Sequence, residues 1–132
     1  MNLGRTWEVL LGRLTEVLKQ YGLTSTQYNI LRILRGAGSD GLTCSEASAR
    51  MITADSDITR LYDRLEARHL ILRERSTRDR RIVVSRITQE GLDLLGEVEK
   101  PAFELLRRSL GHLGQRKLAD LIEVLELLRE DQ

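Results

Sequence analysis

Cysteine is almost absent from this sequence of 132 residues, in which Cys44 is the single example. One thiol cannot form an internal disulfide, so the fold must rest on its apolar core, and a reducing compartment is indicated. No run of about 18 apolar residues occurs, which argues against a membrane-spanning helix, and the first residues lack the apolar segment of a signal peptide. We therefore predict a cytoplasmic protein with no membrane partner. Its length suits one domain, residues 1–132.

Arrangements of residues that catalyse reactions or bind metals are also lacking. His69 and His112 are the only histidines, and they lie far apart without a companion cysteine or a spaced set of carboxylates. This argues against a metal site. The sequence has no glycine-rich phosphate loop, no nucleophile elbow and no plausible acid–base set. We therefore expect neither an enzyme nor a protein that requires a cofactor.

The net charge of +1 conceals an uneven distribution of charge along the chain. Residues 1–58 carry six basic and six acidic side chains, residues 59–86 carry nine and four, and residues 87–132 carry six and ten. The middle of the chain is therefore strongly basic while the end is acidic. A basic segment of this kind is suited to a polyanion such as nucleic acid, so the near-neutral total does not argue against that partner.

A helical pattern occupies the centre of the chain. Its apolar residues recur at the three- and four-residue spacing that places them on one helical face, namely Ile58, Leu61, Tyr62, Leu65 and Leu70. The opposite face is polar and charged, with Thr59, Arg60, Asp63, Arg64 and Arg68. This pattern predicts an amphipathic helix that packs one face on a core and leaves the other face outward.

After His69 the pattern changes from helix to strand. Residues 71–75 and 81–87 are typical of two strands joined by the polar loop 76–80, with Ile82 and Val84 on one face of the second strand. The segment 73–86 holds six arginines, at positions 73, 75, 78, 80, 81 and 86, against only Glu74 and Asp79. These arginines could form a solvated face paired with the two acids. Because they lie in a hairpin directly after an amphipathic helix, DNA contact is favoured.

A shorter helix is predicted just before the amphipathic one. Thr43 and Glu46 have the spacing of a capping box, which predicts a helix from Cys44 to about Met51. The amphipathic helix would then begin near Ala54 or Asp55. Two short helices separated by a tight turn form a helix-turn-helix, whose second helix fits the major groove of DNA. The hairpin after it makes this a winged version.

Longer helices are predicted on both sides of this region. The first spans about residues 2–20, and a capping box at Thr24 and Gln27 begins a second that runs to about Arg35, with Tyr28, Leu31 and Leu34 inward. Thr88 caps a helix from Gln89, in which Pro101 should cause a bend or a split. Its inner face would hold Leu92, Leu95, Val98, Ala102, Leu105, Leu106 and Leu110. Gly111 and Gly114 end it, and a last helix ends near Glu130.

The terminal helices carry more apolar surface than a small winged domain can cover. We therefore predict that they pack against a second copy across a two-fold axis. The residues expected at this contact are Leu3, Trp7, Leu10, Leu118, Leu121, Ile122 and Leu125. A two-fold dimer would present two reading helices to a pseudo-palindromic site with half-sites about one helical turn apart.

Three stretches together resemble the MarR family of bacterial winged helix-turn-helix transcription regulators. They are LTSTQYNILRIL, LTCSEASARM and ITRLYDRLEARHLILRERSTRDRRIVVSRITQEGLDLL, and they lie within residues 23–95. The most specific matches are residues 59–61 with Leu65 and Glu66, residues 79–81, and Ile87 and Thr88 with Gly91. His69 stands where the family usually has glycine, but histidine can adopt the left-handed conformation at moderate cost.

The resemblance implies a mainly α fold, a winged helix-turn-helix with a two-stranded β wing and N- and C-terminal dimerisation helices. Residues 1–22 and 96–132 would form the dimer and residues 23–95 would bind DNA. Members of the family are homodimers that bind palindromic promoter DNA, usually as repressors, and many are released by a small aromatic effector or by thiol oxidation.

Site residues follow by position from the same resemblance. The reading helix would use Asp55, Ser56, Asp57, Thr59, Arg60 and Arg64. The wing would use Arg75, Arg78, Asp79, Arg80 and Arg81, with Asp79 and Arg81 shaping it and an arginine entering the minor groove. Thr43 and Ser45 would contact phosphates. Trp7, Leu11 and Tyr28 could line an effector pocket, although aromatic residues on an apolar stripe are more often core.

Several alternatives stay open from the sequence. Asp55 and Asp57 could cap the reading helix, a role favoured for Asp55, or one could accept a hydrogen bond from a cytosine amino group. Arg60 could buttress the helix instead of contacting DNA. Cys44 would have a lowered pKa at a helix start, but the family's oxidation sensors carry their cysteine near the amino terminus, so a redox role is not favoured. The rival function is a winged-helix protein-docking module without specific DNA binding.

Overall fold

Six α-helices and one antiparallel hairpin make up the computed structural model, which describes residues 1–52 and 56–130. The elements in chain order are α1 (Asn2–Lys19), α2 (Ser25–Ala37), a 3₁₀ turn (Gly38–Asp40), α3 (Cys44–Ala49), α4 (Ile58–Ala67), β1 (Ile71–Arg75), β2 (Val83–Ile87), α5 (Gln89–Leu110), a 3₁₀ turn (Gly111–Leu113) and α6 (Gly114–Glu130). The mainly α, winged fold class predicted from the sequence is confirmed. Among the described residues, none of the helices is long and apolar enough to cross a membrane.

Side-chain caps fix the starts of three helices where the sequence predicted them. The Gln27 N–H donates to Thr24 Oγ1 (3.1 Å), and the Thr24 N–H donates to Gln27 Oε1 (3.0 Å). The same reciprocal pair joins Thr43 and Glu46 at the start of α3. At the start of α5, Thr88 Oγ1 accepts from the Gly91 N–H (3.1 Å). Each cap satisfies N–H groups that have no partner within their own helix.

The core lies between α2, α4 and α5, and the end of α1 closes it. Its fully buried members include Leu18, Ile30, Leu31, Leu34, Leu65, Leu95 and Val98. The predicted inner face of α4 is confirmed, because Leu61, Tyr62 and Leu65 are buried and Ile58 packs against the same cluster. This burial holds α4 by one face and leaves its polar face outward.

The hairpin pairs Ile71 with Ile87 and Arg75 with Val83, and Leu42 adds an isolated bridge to Ser85. A tight turn joins α4 to β1, where His69 has φ 59°, the left-handed conformation expected at this position. Gly91 allows α5 to approach this turn, because a Cβ there would lie 2.3 Å from the Leu70 carbonyl oxygen. Glycine is thus required where α5 meets the base of the wing.

Two predictions on these elements were wrong in detail, and one of the two alternatives for Pro101 does not occur. β2 begins at Val83 and not at residue 81, because the Ile82 N–H turns back to the Asp79 carbonyl (3.0 Å) instead of joining the ladder. Leu92 and Leu106 are exposed and do not lie on the inner face of α5. Of the bend or split predicted at Pro101, the split does not occur, because α5 stays helical from Gln89 to Leu110. The buried neighbours Val98 and Ala102 hold the helix on the core, and a proline removes only one N–H donor.

Candidate nucleic-acid interface

The turn between α3 and α4 is attached to α2 by a side-chain hydrogen bond. The Ile52 N–H donates to Asn29 Oδ1 (2.9 Å). Beyond the turn, Thr59, Arg60, Asp63 and Arg64 are exposed on the outer face of α4. α3, the turn and α4 therefore form the helix-turn-helix that the sequence predicted.

The start of α4 differs from the prediction. The helix begins at Ile58, not near Ala54 or Asp55, and Asp57 is its N-cap, with Oδ1 accepting the Arg60 N–H (3.2 Å). Ser56 and Asp57 therefore precede the helix instead of belonging to its first turn. The capping role favoured for Asp55 cannot be compared, since Asp55 lies outside the described residues. An aspartate at the N-cap position accepts an N–H that has no partner within the helix, and Asp57 does so here.

Two arginines of α4 have different roles. Arg60 is exposed and its Nε lies 3.7 Å from an Asp57 carboxylate oxygen, so it does not buttress the core. Arg68 is exposed, as predicted, and its guanidinium donates to the carbonyl oxygens of Gly22 (2.6 Å) and Tyr21 (3.2 Å). Arg68 therefore fastens the end of α4 to the loop between α1 and α2.

The base of the wing is held by two arginines, one on each strand. Arg73 on β1 binds Glu66 and Asp63 of α4, and these carboxylates raise its pKa further above the ordinary arginine value. Arg86 on β2 binds Glu74 and the Ser39 carbonyl. Two of the six arginines of this segment are therefore neutralised by acidic side chains of the protein itself.

The tip of the wing keeps the other four arginines: Arg75, Arg78, Arg80 and Arg81. Asp79 Oδ1 accepts the Arg81 N–H (3.0 Å), the Arg78 N–H donates to Ser76 Oγ (3.2 Å), and Arg75 donates to the Arg80 carbonyl (2.7 Å). These bonds shape the tip, and none of them neutralises an arginine. Among residues 1–52 and 56–130, no carboxylate forms an ion pair with these four side chains. The tip is a concentrated positive surface.

The two predicted phosphate contacts at the start of α3 are not equivalent. The Thr43 hydroxyl accepts the Glu46 N–H (3.2 Å) and donates to Glu46 Oε2 (3.0 Å), so the capping box occupies it. The hydrogen bonds from Thr43 hold the pKa of Glu46 below its ordinary value. Ser45 is exposed. Ser45 therefore has the hydroxyl that is better placed for a phosphate.

Cys44 does not have the lowered pKa expected for a thiol at a helix start. It is half-buried, and burial raises its pKa, although the positive charge of Arg73 opposes this effect. Desolvation disfavours the charged thiolate, and this effect outweighs the attraction of Arg73. The prediction from helix position alone was wrong.

A small cavity of about 170 Å³ brings together the three residues named for an effector pocket. Trp7 and Leu11 contribute from α1 and Tyr28 from α2, and the other lining residues are Leu14, Ser25, Thr26, Asn29, Arg32 and Ile52. The Arg32 guanidinium lies 5.6 Å from the centre of the Tyr28 ring. The cavity is thus apolar with a polar edge, and it adjoins the turn that leads to α4.

The residues predicted at a dimer contact remain largely uncovered in the single chain. Leu3, Trp7, Leu121 and Ile122 are exposed, and Leu10, Leu118 and Leu125 are half-buried. Phe103 on α5 is also exposed, at 68%, and no sequence pattern had singled it out for this surface. Phe103 lies two residues after Pro101 and was not among the residues predicted for the inner face of α5. Among the described residues, no group of three metal-ligating side chains occurs.

A helix-turn-helix with an exposed polar second helix, followed by a basic β hairpin, defines a winged helix-turn-helix protein. A family model described as the transcriptional regulator SarA/Rot matches residues 13–98. The chain belongs to this family of MarR-type winged-helix transcription regulators, as the resemblance indicated. It is accordingly a DNA-binding transcriptional regulator of MarR/SarA type.

Individual relatives agree with this assignment. The HTH-type transcriptional repressor MdtR of Bacillus subtilis is 30% identical over 118 residues, which is 89% of this chain and 75% of MdtR. Two other curated regulators are matched over only 65% and 62% of their own length.

Solved structures with the same fold include a MarR transcription factor from Planctomyces limnophilus, 39% identical with a TM-score of 0.72, covering 95% of this chain and 90% of that one. CouR from Rhodococcus jostii RHA1, solved with p-coumaroyl-CoA bound, is 25% identical with a TM-score of 0.82, covering 96% of this chain and 87% of CouR.

Proposed function

We propose that this regulator is a homodimeric, ligand-responsive repressor, acting in the cytoplasm by occupying a pseudo-palindromic promoter site. The observation that carries the proposal is the outer surface of α4 beside the wing tip, where four arginines have no carboxylate partner among the described residues. Thr59, Arg60 and Arg64 would contact base edges in the major groove. The wing tip would enter the adjacent minor groove, whose potential attracts arginine where it is narrow.

The apolar faces of α1 and α6 support the homodimer. Side chains such as Leu3 and Ile122 are exposed in the single chain, and burying them against a second copy would remove apolar surface from water. Two copies related by a two-fold axis would place two α4 helices toward one side. Their separation would then select the spacing of the two half-sites.

The cavity between α1 and α2 supports control by a small aromatic effector. It is lined by Trp7, Leu11 and Tyr28, and Asn29 at its edge holds the Ile52 N–H in the turn before α4. A ligand there could alter the separation of the two reading helices, provided that it binds the non-operator spacing more tightly. The related CouR was solved with p-coumaroyl-CoA bound, which is a precedent for aromatic ligands in this fold.

The decisive experiment is binding of the purified protein to a labelled duplex from upstream of its own gene, against a scrambled duplex, at several salt concentrations. A sequence-specific regulator should bind the upstream duplex at least about a thousandfold more tightly, with affinity falling steeply as salt rises. Equally weak binding to that duplex, to scrambled DNA and to tiled fragments of the neighbouring promoters would favour the protein-docking module.

Arg81→Ala tests the wing in the same assay. The variant should bind the operator roughly tenfold more weakly, and it should discriminate less between A·T and G·C pairs at the position that the wing contacts. Gel-shift titration on duplexes that differ only at that position measures both effects. Unchanged affinity would remove Arg81 from the contact set, while Arg50→Ala, which changes an exposed arginine at the end of α3, serves as a control for lost positive charge.

A further inference from the structure

Arg73 connects the reading helix to the wing. It lies on β1 and is half-buried; its Nη2 is 2.6 Å from Asp63 Oδ1, and its Nε donates to Glu66. The two carboxylates are three residues apart on α4, so one guanidinium holds one turn of that helix. This is a planar, two-sided contact that arginine can make and lysine cannot reproduce.

The base of the hairpin is held by the Leu42–Ser85 bridge and by burial of Ile71 in the core. The wing is a two-stranded hairpin, which is marginally stable alone, and it follows α4 after a turn centred on His69. Arg86 holds the other strand to the Ser39 carbonyl, away from α4. Beyond this base, Arg73 adds the ion pairs that join β1 to the outer part of α4.

Arg73 also neutralises two acids at the edge of the proposed DNA surface. Asp63 is exposed on the same side of α4 as Arg60 and Arg64, where an uncompensated carboxylate would repel phosphates. The guanidinium is occupied by these acids, so it is not available to the phosphate backbone as the tip arginines are.

We propose that Arg73 is a positioning residue for DNA reading, which sets the orientation of the wing relative to α4 and does not itself contact DNA. The inference rests on the proposed DNA contacts of α4 and of the wing tip. When Arg73 is in place, α4 in the major groove and Arg81 in the minor groove engage in one register. Without it the hairpin would stay attached at its base but would lose its direct link to α4, so the wing tip would not be held in one orientation and the two contacts would no longer form together.

A double-mutant cycle on operator affinity tests the proposal. Arg81→Ala should cost roughly tenfold in the wild-type background but less than about threefold in the Arg73→Ala background, because a released wing no longer places Arg81. If Arg81→Ala costs the same factor in both backgrounds, Arg73 acts independently of the wing and the proposal is overturned. Wild-type preference for the operator over scrambled DNA reports separately on the proposed function.

A second variant releases the same contact from the other side. Asp63→Asn/Glu66→Gln keeps Arg73 and should likewise reduce the effect of Arg81→Ala, so the test does not depend on the stability of Arg73→Ala. If Arg81→Ala still costs roughly tenfold in operator affinity in this variant, the proposal is also overturned. In the Arg73→Lys background, Arg81→Ala should cost more than in the Arg73→Ala background but less than in the wild type. Lysine keeps the positive charge but lacks the planar guanidinium that binds both carboxylates.

Arg35→Ala is the matched control. Arg35 forms an ion pair with Glu99 between α2 and α5, and the two pairs are similarly half-exposed. Its loss should leave both operator affinity and the Arg81→Ala effect unchanged. If Arg35→Ala reduces the cost of Arg81→Ala as much as Arg73→Ala does, then any ion pair between two elements has the same influence. That result also contradicts the proposal.

Discussion

Apolar side chains are buried in the central lobe, which is built from α2, α4 and α5, but they are largely exposed on the terminal helices α1 and α6. In the lobe, Leu31 and Leu65 are fully buried by the chain's own α2, α4 and α5. On the terminal helices, Leu3 remains 64% exposed and Ile122 57% exposed. The lobe therefore has a core that one chain completes, whereas α1 and α6 present surface that one chain leaves open. Burial of the second surface should depend on protein concentration, because it requires a second copy.

The largest effect is expected from charged substitutions on the exposed apolar face of α6. Leu121→Glu/Ile122→Glu places two charges on the face of α6 proposed to meet a second copy, where desolvation would oppose association. We expect a monomer by analytical ultracentrifugation. Operator affinity should fall by about 10²–10⁴-fold, because the advantage of engaging two half-sites through one molecule is lost.

Glu123→Lys provides the control on the same helix, since its position lies on the opposite face by helical spacing. This variant should remain dimeric with unchanged affinity. A doubly substituted protein that stays dimeric would show that α6 does not form the contact and would turn attention to Phe103 on α5.

A smaller effect is expected from damaging the closed core. Leu65→Ala removes a fully buried side chain from the inner face of α4 and should lower the free energy of unfolding by about 2–5 kcal/mol. Denaturant titration measures the change. Leu127→Ala makes the same deletion at a position that is 55% exposed, and it should change stability by less than about 1 kcal/mol. Equal losses would contradict the distinction between the two regions.

Local signals explain how much of this architecture the sequence could predict. The capping residues Thr24, Thr43 and Thr88 act on backbone groups three residues away, so their spacing located three helix starts correctly. The start of α4 was missed because the sequence favoured Asp55 as a cap and left Asp57 open, whereas Asp57 is the N-cap of the helix. Both residues have the same capping chemistry, and spacing alone did not show that the helix begins at Ile58.

Contacts between distant residues explain what could not be predicted. The arginines of the hairpin look alike in sequence, yet Arg73 and Arg86 are paired with acids while Arg81 is not. Periodicity also placed Leu106 inward on α5, although the core ends before it and leaves it exposed. Both features depend on which elements meet in space, and no local spacing records this.

The smallest effect is expected from a buried tyrosine in the core. Tyr62 is 1% exposed, and its hydroxyl has no hydrogen-bond partner within residues 1–52 and 56–130. Tyr62→Phe should therefore raise the free energy of unfolding by about 1 kcal/mol at neutral pH, because a buried polar group without a partner is removed.

The pH dependence gives Tyr62→Phe a second readout. Burial raises the pKa of Tyr62 in the folded protein, whereas the unfolded tyrosine ionises near its ordinary pKa of about 10. Above that pH the unfolded state binds fewer protons than the folded state, so wild-type stability should fall as pH rises. Denaturant titrations between pH 8 and 11 should show the gap in favour of Tyr62→Phe widening above about pH 10. If Tyr62→Phe is instead less stable than the wild type, the hydroxyl has a hydrogen-bond partner, and a polar interaction stabilises the core in addition to apolar packing.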